Sequence, residues 1–272
     1  MLKRIISGLV YGAAILAGLW FGPFTFGGVF LVFCVLCLTE YGQLVGRLPG
    51  TAVNLPVTVV GGAFLYFAGY LYLSGIVGSP AVFLPWLSVF LFLAVTEIYR
   101  SDLSGFSGLA AGLMGQIYIA LPFTLLSFLA FDRSGAVPVY RYEPVLALFV
   151  ILWANDVMAF FIGCRWGRHR LLERISPKKS WEGFWAGQIA GLAVAFGCSL
   201  LFPSVMTTLQ WLGFGLTVGI FGVWGDLFES LLKRCIGVKD SGRMMPGHGG
   251  IIDRMDSMLL AVPAAVLYLF LI

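Results

Sequence analysis

Apolar stretches separated by short polar segments run through the whole chain. Each stretch is roughly 17 to 25 residues long, the length that an α-helix needs to cross a hydrocarbon core of about 30 Å. The pattern therefore predicts an all-α, polytopic transmembrane protein with about nine spans. The predicted spans lie near residues 5–22, 24–45, 55–77, 82–97, 109–131, 144–163, 183–202, 211–232 and 252–272.

The composition excludes a water-soluble globular protein. Hydrophobic residues make up 60% of the chain and charged residues 11%, whereas a soluble domain has about 25% charged residues. Lys3 and Arg4 precede a long apolar stretch that lacks a small-residue cleavage site. We therefore expect a retained first span rather than a cleaved signal peptide.

The distribution of Lys and Arg predicts the orientation in the membrane, because basic residues that flank spans stay in the cytoplasm. With about nine spans and a cytoplasmic N-terminus, every Lys and Arg except Arg133 and Arg141 falls on the cytoplasmic side. We expect a multi-pass protein of the inner (plasma) membrane whose C-terminus lies outside and whose polar site faces the cytoplasm.

The polar chemistry lies mainly in the C-terminal half. We divide the chain into N-terminal spans (1–80), middle spans (81–143) and a catalytic C-terminal region with cytoplasmic loops (144–272). Two basic segments, 164–182 and 233–250, hold most of the charge in that region. Such segments can merely fix topology and touch anionic headgroups, so the charge alone does not establish a site.

Acidic residues inside predicted spans are a stronger signal, because an ionised carboxylate in hydrocarbon is costly and is usually paired or functional. The spacing of 226/229 and of 253/256 places each pair of acids on one helical face. Asp226, Asp253 and Asp256 would form an oxygen-only set suited to Mg²⁺. The alternative is that these acids only pair with Lys233, Arg234 or Arg254 to hold helices together.

Two further segments have features that suit phosphate groups. The glycine-rich turn 245–250 leads into the last span, so its backbone N–H groups and the helix N-terminus favour an anion. Lys178 and Lys179 precede Trp181 and offer point charges beside an aromatic ring. A tight turn at a helix start is the simpler interpretation of the glycines.

The segment Ser230–Asp256 resembles the signature of the phosphatidate cytidylyltransferases, also called CDP-diacylglycerol synthases. Residues 176–183 and the pair Asn155 and Asp156 also resemble this family. Met245 stands where the family pattern usually has Leu, Ile or Phe. The residues retained at the family's spacing are Ser230, Lys233, Arg234, Lys239, Asp240, Pro246, His248, Gly249, Gly250, Asp253, Arg254 and Asp256.

The resemblance implies a reaction of CTP with phosphatidic acid that gives CDP-diacylglycerol and pyrophosphate and requires a divalent metal. Mg²⁺ is the expected cofactor, with room for a second cation. Asp226, Asp253 and Asp256 are the expected metal ligands and, with Lys239, the expected catalytic residues. The expected substrate-binding residues are Asn155, Asp156, Ser176, Lys178, Lys179, Lys233, Arg234, Arg243, His248, Gly249, Gly250 and Arg254.

Two other functions remain open at this point. A polyprenol kinase that uses CTP would need the same metal and cations, and only the segment 230–256 separates it from a cytidylyltransferase. An ion-coupled transporter could use the intramembrane acids as a cation pathway, but would leave the glycine-rich turn unexplained. The expected partners are CTP, phosphatidic acid and membrane lipid, and we expect no nucleic-acid partner. Small-residue runs at 61–63 and 108–115 leave a homodimer open.

Overall fold

The computed structural model describes residues 2–99, 105–242, 244, 245 and 249–272, with residues 2–5 and 105 described as backbone only. Helices make up most of this structure, which confirms the predicted all-α class. The helices are α1 (Leu2–Trp20), α2 (Pro23–Val45), α3 (Leu55–Leu73), α4 (Leu84–Ile98), α5 (Gly105–Gly115), α6 (Leu121–Ala130), α7 (Glu143–Trp166), α8 (Trp181–Leu201), α9 (Thr208–Ile236) and α10 (Ile252–Leu271). A 3₁₀ turn, Pro80–Phe83, leads into α4, and a π-helical segment, Gln116–Ala120, joins α5 to α6.

The helices match the predicted spans closely. Within the described residues, eight helical segments are long and apolar enough to cross a membrane, and Ile6–Trp20 forms a shorter apolar helix. The largest boundary differences are four residues: α3 ends at Leu73 rather than 77, α5 begins at Gly105 rather than 109, and α9 ends at Ile236 rather than 232. The multi-pass prediction is therefore confirmed, while the side that each end faces stays a prediction.

The chain forms two compact units. The first contains the residues up to Arg141 together with Ile236–Arg254, and the second contains Tyr142–Cys235 and Met255–Ile272. The last helix, α10, therefore begins in the first unit and continues in the second. The division into 1–80, 81–143 and 144–272 stays a prediction.

Aromatic side chains fill the interior of the first unit. Phe26, Phe30 and Phe123 are fully buried, and burial of large apolar side chains stabilises the packing of these helices against one another. The Tyr66 hydroxyl is also buried and donates to the Gly27 carbonyl at 3.1 Å. A short hairpin, β1 (Phe131–Asp132) paired antiparallel with β2 (Val139–Tyr140), connects α6 to α7.

The second unit contains a hairpin that the sequence analysis does not predict. Segment 164–182, expected to be a basic loop, contains β3 (Arg170–Leu172) paired antiparallel with β4 (Ser176–Ser180). Ile175, in the turn of this hairpin, packs with Phe184, Val223 and Leu227 in one buried cluster. Since Phe184 lies on α8 and the other two on α9, the hairpin is held against both helices.

Candidate active site

The carboxylates of Asp226, Glu229 and Asp256 form one cluster in the second unit. One oxygen from each lies within 4.8 Å of the other two. Asp226 and Glu229 are three residues apart on α9 and therefore share one face of the helix, and Asp256 comes from α10. Glu229 is fully buried. Three carboxylates at this separation repel one another unless cations lie among them.

Gly225 allows α10 to approach α9 closely enough to form this cluster. A Cβ atom at position 225 would lie 2.6 Å from the Asp256 carbonyl oxygen and 3.0 Å from that of Ser257. Both of these atoms are backbone atoms, which cannot move aside as a flexible side chain can. Any larger residue at position 225 would therefore push α10 away from Asp226.

Two lysine ammonium groups contact the cluster within the described part of the chain. Lys179 Nζ on β4 lies 2.6 Å from Asp226 Oδ2, and Lys233 Nζ contacts Glu229 Oε2 four residues earlier on α9. The side chains of Lys179 and Asp226 are 26% and 31% exposed, so this pair is partly accessible, whereas those of Lys233 and Glu229 are 11% and 0% exposed. The Asp226 end of the cluster is therefore its accessible end.

A cavity of about 270 Å³ opens beside Asp226 in the second unit. Its polar lining includes Asp156, Lys178 and Lys179, and aromatic side chains of Phe160 and Phe184 contribute to its apolar wall. Ligand pockets typically measure about 300–1,000 Å³, so a cavity of this size holds one part of a large substrate. Adjacent lysines and acids suit a phosphate group bound together with a cation.

The β3–β4 hairpin positions the two lysines and is itself fixed at its base. The Ser180 hydroxyl accepts the Gly183 N–H at 3.2 Å and so caps α8. Glu182 accepts the backbone N–H groups of Arg168 and His169, and His169 Nδ1 lies 2.6 Å from Glu182 Oε1. These contacts join the end of α7 to the start of α8 and hold β4 beside the cavity.

Asn155 and Asp156 are neighbours in sequence but differ in their surroundings. Asp156 lines the cavity. Asn155 is buried, and its Nδ2 donates to the Gly219 carbonyl at 3.2 Å, while its Oδ1 has no hydrogen-bond partner among the described residues. Asn155 therefore contacts α9 backbone in this structure, and its predicted contact with substrate stays a prediction.

Asp253 belongs to the first unit, on the first turn of α10. Its Oδ2 accepts the N–H groups of Gly250 at 2.8 Å and Ser241 at 3.2 Å. Gly249 has a φ of +89°, a backbone conformation that favours glycine. Asp253 thus binds the segment that precedes α10, and the predicted roles of Gly249, Gly250 and Asp253 toward substrate or metal stay predictions.

The remaining predicted residues have varied positions. Lys178, Lys239, Arg234 and Arg254 are exposed and Ser176 is half-buried, and Arg234 Nε donates to the Ile175 carbonyl at 3.4 Å. Arg243 and His248 lie outside the described residues.

Glu229 and Ser230 are site residues that the sequence does not predict as ligands or ligand contacts. The Ser230 hydroxyl donates to Asp226 Oδ1 at 3.3 Å, and Glu229 belongs to the carboxylate cluster. The signal for both was their spacing from Asp226, since residues three and four positions later lie on the same helical face.

Comparison of the sequence with known proteins finds a matching family and several relatives. The model of the Cytidylyltransferase family matches residues 2–272. A phosphatidate cytidylyltransferase of Haemophilus influenzae is 33% identical over 284 residues, which cover 97% of this chain and 96% of that protein. Those of Staphylococcus aureus (strain COL) and Thermotoga maritima are 35% identical over 189 residues and 39% identical over 148 residues. These two alignments cover 66% and 52% of this chain, and 69% and 55% of the respective proteins.

Proposed function

The chain belongs to the cytidylyltransferase family, and from this premise we propose that it transfers the cytidylyl group of CTP to phosphatidic acid. The products are CDP-diacylglycerol and pyrophosphate, for use in phospholipid synthesis. The relatives named above carry this activity in their names. The observation in this chain that carries the proposal is the carboxylate and lysine cluster of Asp226, Glu229, Asp256, Lys179 and Lys233.

The reaction is a displacement at phosphorus. An oxygen of the lipid phosphate attacks the α-phosphorus of CTP, a new P–O bond forms, and the bond from the α-phosphorus to the bridging oxygen breaks. The electron pair leaves with pyrophosphate. The lipid phosphate is already anionic, so it needs little deprotonation, and we propose in-line attack without a covalent enzyme intermediate. The main barrier is the approach of two anions, which cations must offset.

The donor set fits a hard divalent cation such as Mg²⁺, which prefers a few carboxylate oxygens and completes its shell with water and phosphate oxygens. Asp226, Glu229 and Asp256 would hold it, and Asp253 stays the further ligand that the sequence predicts, with room for a second cation. When bound, Mg²⁺ would neutralise phosphate charge at the point of attack. Without it the cluster has more carboxylates than ammonium groups among the described residues, so it attracts cations.

The lysines of β4 are the phosphate-binding groups of this proposal. Lys178 and Lys179 line the cavity beside Asp226, so their positive charge can stabilise the phosphates of CTP and the negative charge that develops on pyrophosphate. Lys239 and Arg243 are the further cations proposed for pyrophosphate, from the family resemblance of segment 230–256. Lys233 is buried against Glu229, which leaves the exposed Arg234 and Arg254 as the better candidates for the lipid headgroup.

The substrates set the location that we propose for the site. CTP is dissolved in the cytoplasm and phosphatidic acid lies in the bilayer, so the cavity must be reachable from both. The Lys and Arg distribution supports a cytoplasmic position of the β3–β4 hairpin. The proposal therefore places the enzyme in the inner (plasma) membrane with its site toward the cytoplasm, and leaves a homodimer as a further prediction.

A transfer assay with the purified protein tests the proposal. Labelled lipid is measured after incubation with α-labelled CTP and phosphatidic acid, with Mg²⁺ or with a chelator, for wild type, Asp256→Asn and Glu97→Gln. Glu97 is a control carboxylate in α4, outside the proposed site. We expect Mg²⁺-dependent labelled lipid from wild type and Glu97→Gln, and a loss of about 100-fold or more in Asp256→Asn. Folded wild-type protein that labels no lipid would overturn the proposed function.

A further inference from the structure

Glu40 is a buried carboxylate in the first unit that the proposed reaction does not use. It lies on the spanning helix α2 and is 1% exposed. A carboxylate in such surroundings is unfavourable unless hydrogen-bond donors or cations compensate it. Its neighbours therefore show what the side chain does.

The donors that compensate Glu40 come from the start of α10. Its Oε2 accepts the backbone N–H groups of Ile251 at 2.5 Å and Ile252 at 3.1 Å. The first N–H groups of a helix have no partner within that helix, and a negative charge beside them is favoured by the helix dipole. Glu40 thus caps α10 from a helix more than 200 residues earlier in the chain.

Two glycines leave the space that the Glu40 carboxylate fills. A Cβ atom at Gly242 would lie 1.8 Å from Glu40 Oε1, and one at Gly250 would lie 2.0 Å from the same oxygen. Gly250 was predicted to let an anionic substrate approach the backbone. In this structure the carboxylate of Glu40 lies next to Gly250.

Ser241 links Glu40 to Asp253. The Ser241 hydroxyl donates to Glu40 Oε1 at 3.1 Å, and the Ser241 backbone N–H donates to Asp253 Oδ2 at 3.2 Å. Ser241 is 1% exposed, so these bonds are shielded from water. The orientation of Asp253 therefore depends on the segment that Glu40 holds.

We propose that Glu40 is a positioning residue for the reaction, which fixes the first turn of α10 and with it the carboxylate of Asp253. The inference rests on the proposed function, because Asp253 is one of the acids expected to act on Mg²⁺ and CTP. It gives the N-terminal half of the chain a defined contribution to the chemistry. Glu40 itself acts through α10 and Ser241.

Two measurements on the purified full chain test the proposal. Hydrogen–deuterium exchange reports the amides of Ile251 and Ile252, and initial rates at varied Mg²⁺ and CTP report the reaction. The variants are Glu40→Gln, Ser241→Ala and the double variant, with Glu97→Gln as the matched control for losing a carboxylate from a spanning helix of the same unit.

We expect Glu40→Gln to exchange the two amides at least about tenfold faster, because the amide side chain is a weaker acceptor than a carboxylate. Its kcat should fall about 10- to 100-fold and the Mg²⁺ concentration for half-maximal rate should rise, with a KM for CTP within about threefold of wild type. The double variant should be no slower than Glu40→Gln by more than about threefold, since Ser241 acts on the reaction through its hydrogen bond with Glu40. Glu97→Gln should match wild type in all readouts.

The outcomes separate this inference from the proposed function. A folded Glu40→Gln protein with the same kcat and Mg²⁺ response as wild type overturns the positioning role of Glu40. The proposed function still stands in that case, provided that the wild-type protein transfers label to lipid. If Glu40→Gln does not fold, Ser241→Ala decides, because a kcat and Mg²⁺ response equal to wild type there overturns the proposal and a threefold or larger loss supports it. If the wild-type protein transfers no label, the proposed function and the catalytic part of this inference are both overturned. The hydrogen–deuterium exchange data then test only whether Glu40 caps α10.

Discussion

The Lys179 ammonium lies 2.6 Å from the Asp226 carboxylate, and both side chains line the cavity of the second unit. The strand β4 provides the lysine and the helix α9 provides the acid, so the contact joins the hairpin to the carboxylate cluster. A lysine in this position can neutralise Asp226 and can also meet a phosphate group that enters the cavity.

Replacing Lys179 by Met should lower kcat/KM for CTP by about 100- to 1,000-fold, because the variant loses a charge that acts on the phosphates. Lys179→Arg should recover part of this loss, since it keeps the charge with a different geometry. Steady-state rates at varied CTP measure both. Arg174→Gln, exposed on the same hairpin, is the control, and equal losses in both variants would contradict a specific role for Lys179.

Gly225→Ala should separate α10 from α9. The new Cβ would stand 2.6 Å from the Asp256 carbonyl oxygen, and overpacking of this kind costs about 1–3 kcal/mol of stability. We expect a lower melting temperature in detergent and a rate at least about tenfold below wild type. Gly197→Ala is the matched control, because a Cβ there meets nothing within 4 Å. A Gly225→Ala protein as active as Gly197→Ala would contradict the close approach of the two helices.

Alkylation of Cys164 should block the cavity. Its thiol is on α7, exposed, and among the groups that line the cavity. We expect a bulky maleimide to inhibit wild type, CTP to slow the inhibition and Cys164→Ser to resist it. Cys235 is also exposed, so Cys235→Ser should stay sensitive and serves as the control. Full modification of Cys164, seen by mass spectrometry, without loss of rate would show that the cavity is not on the substrate path.

The hairpin between α6 and α7 should make stability depend on pH. The Ser134 backbone N–H donates to Asp132 Oδ1 at 3.0 Å, and Arg141 Nε lies 3.2 Å from Asp132 Oδ2. The hydrogen bonds from Ser134, followed by the contact with Arg141, lower the pKa of Asp132 below its usual value. Because the folded pKa is the lower one, the stabilisation is present above the unfolded pKa of about 3.9 and is lost as pH falls through the folded pKa.

The side chain of Asp132 is 35% exposed, so solvent limits this contribution to below about 1 kcal/mol. Melting temperatures of wild type and Asp132→Asn should therefore differ slightly at pH 7, with wild type higher. The difference should shrink below about pH 4. A difference that stays constant from pH 7 to pH 3 would mean that the loss in the variant does not come from ionised Asp132.

The sequence predicted the helices well because their signal is local. A spanning helix needs an apolar stretch of sufficient length, and that length can be read directly from the residues. The β3–β4 hairpin was missed because its stability depends on tertiary packing of Ile175 with Phe184, Val223 and Leu227. The strand Ser176–Ser180 has no alternation of apolar and polar residues that would predict it.

Family membership and the transferase class were also predicted correctly, from the segment 230–256, and the matching family model and relatives confirm them. The spacing of three residues predicted that Asp226 and Asp256 each share a helical face with a second acid. The same spacing could have assigned Glu229 to the site. Glu40 was missed because its partners lie more than 200 residues away in sequence. The sequence nevertheless indicates that Glu40 has a partner, since an acid inside an apolar span needs a compensating group.

The pairing of Lys233 with Glu229 also bears on how α9 enters the bilayer. The two residues stand one helical turn apart on the same helix, so each can neutralise the other as soon as that turn forms, before any later helix is made. Asp226 receives its cation from Lys179, which precedes α9 in the chain and is synthesised earlier. Most of the charge in this helix can therefore be compensated during membrane insertion, and Asp256 adds the last carboxylate only when α10 is made.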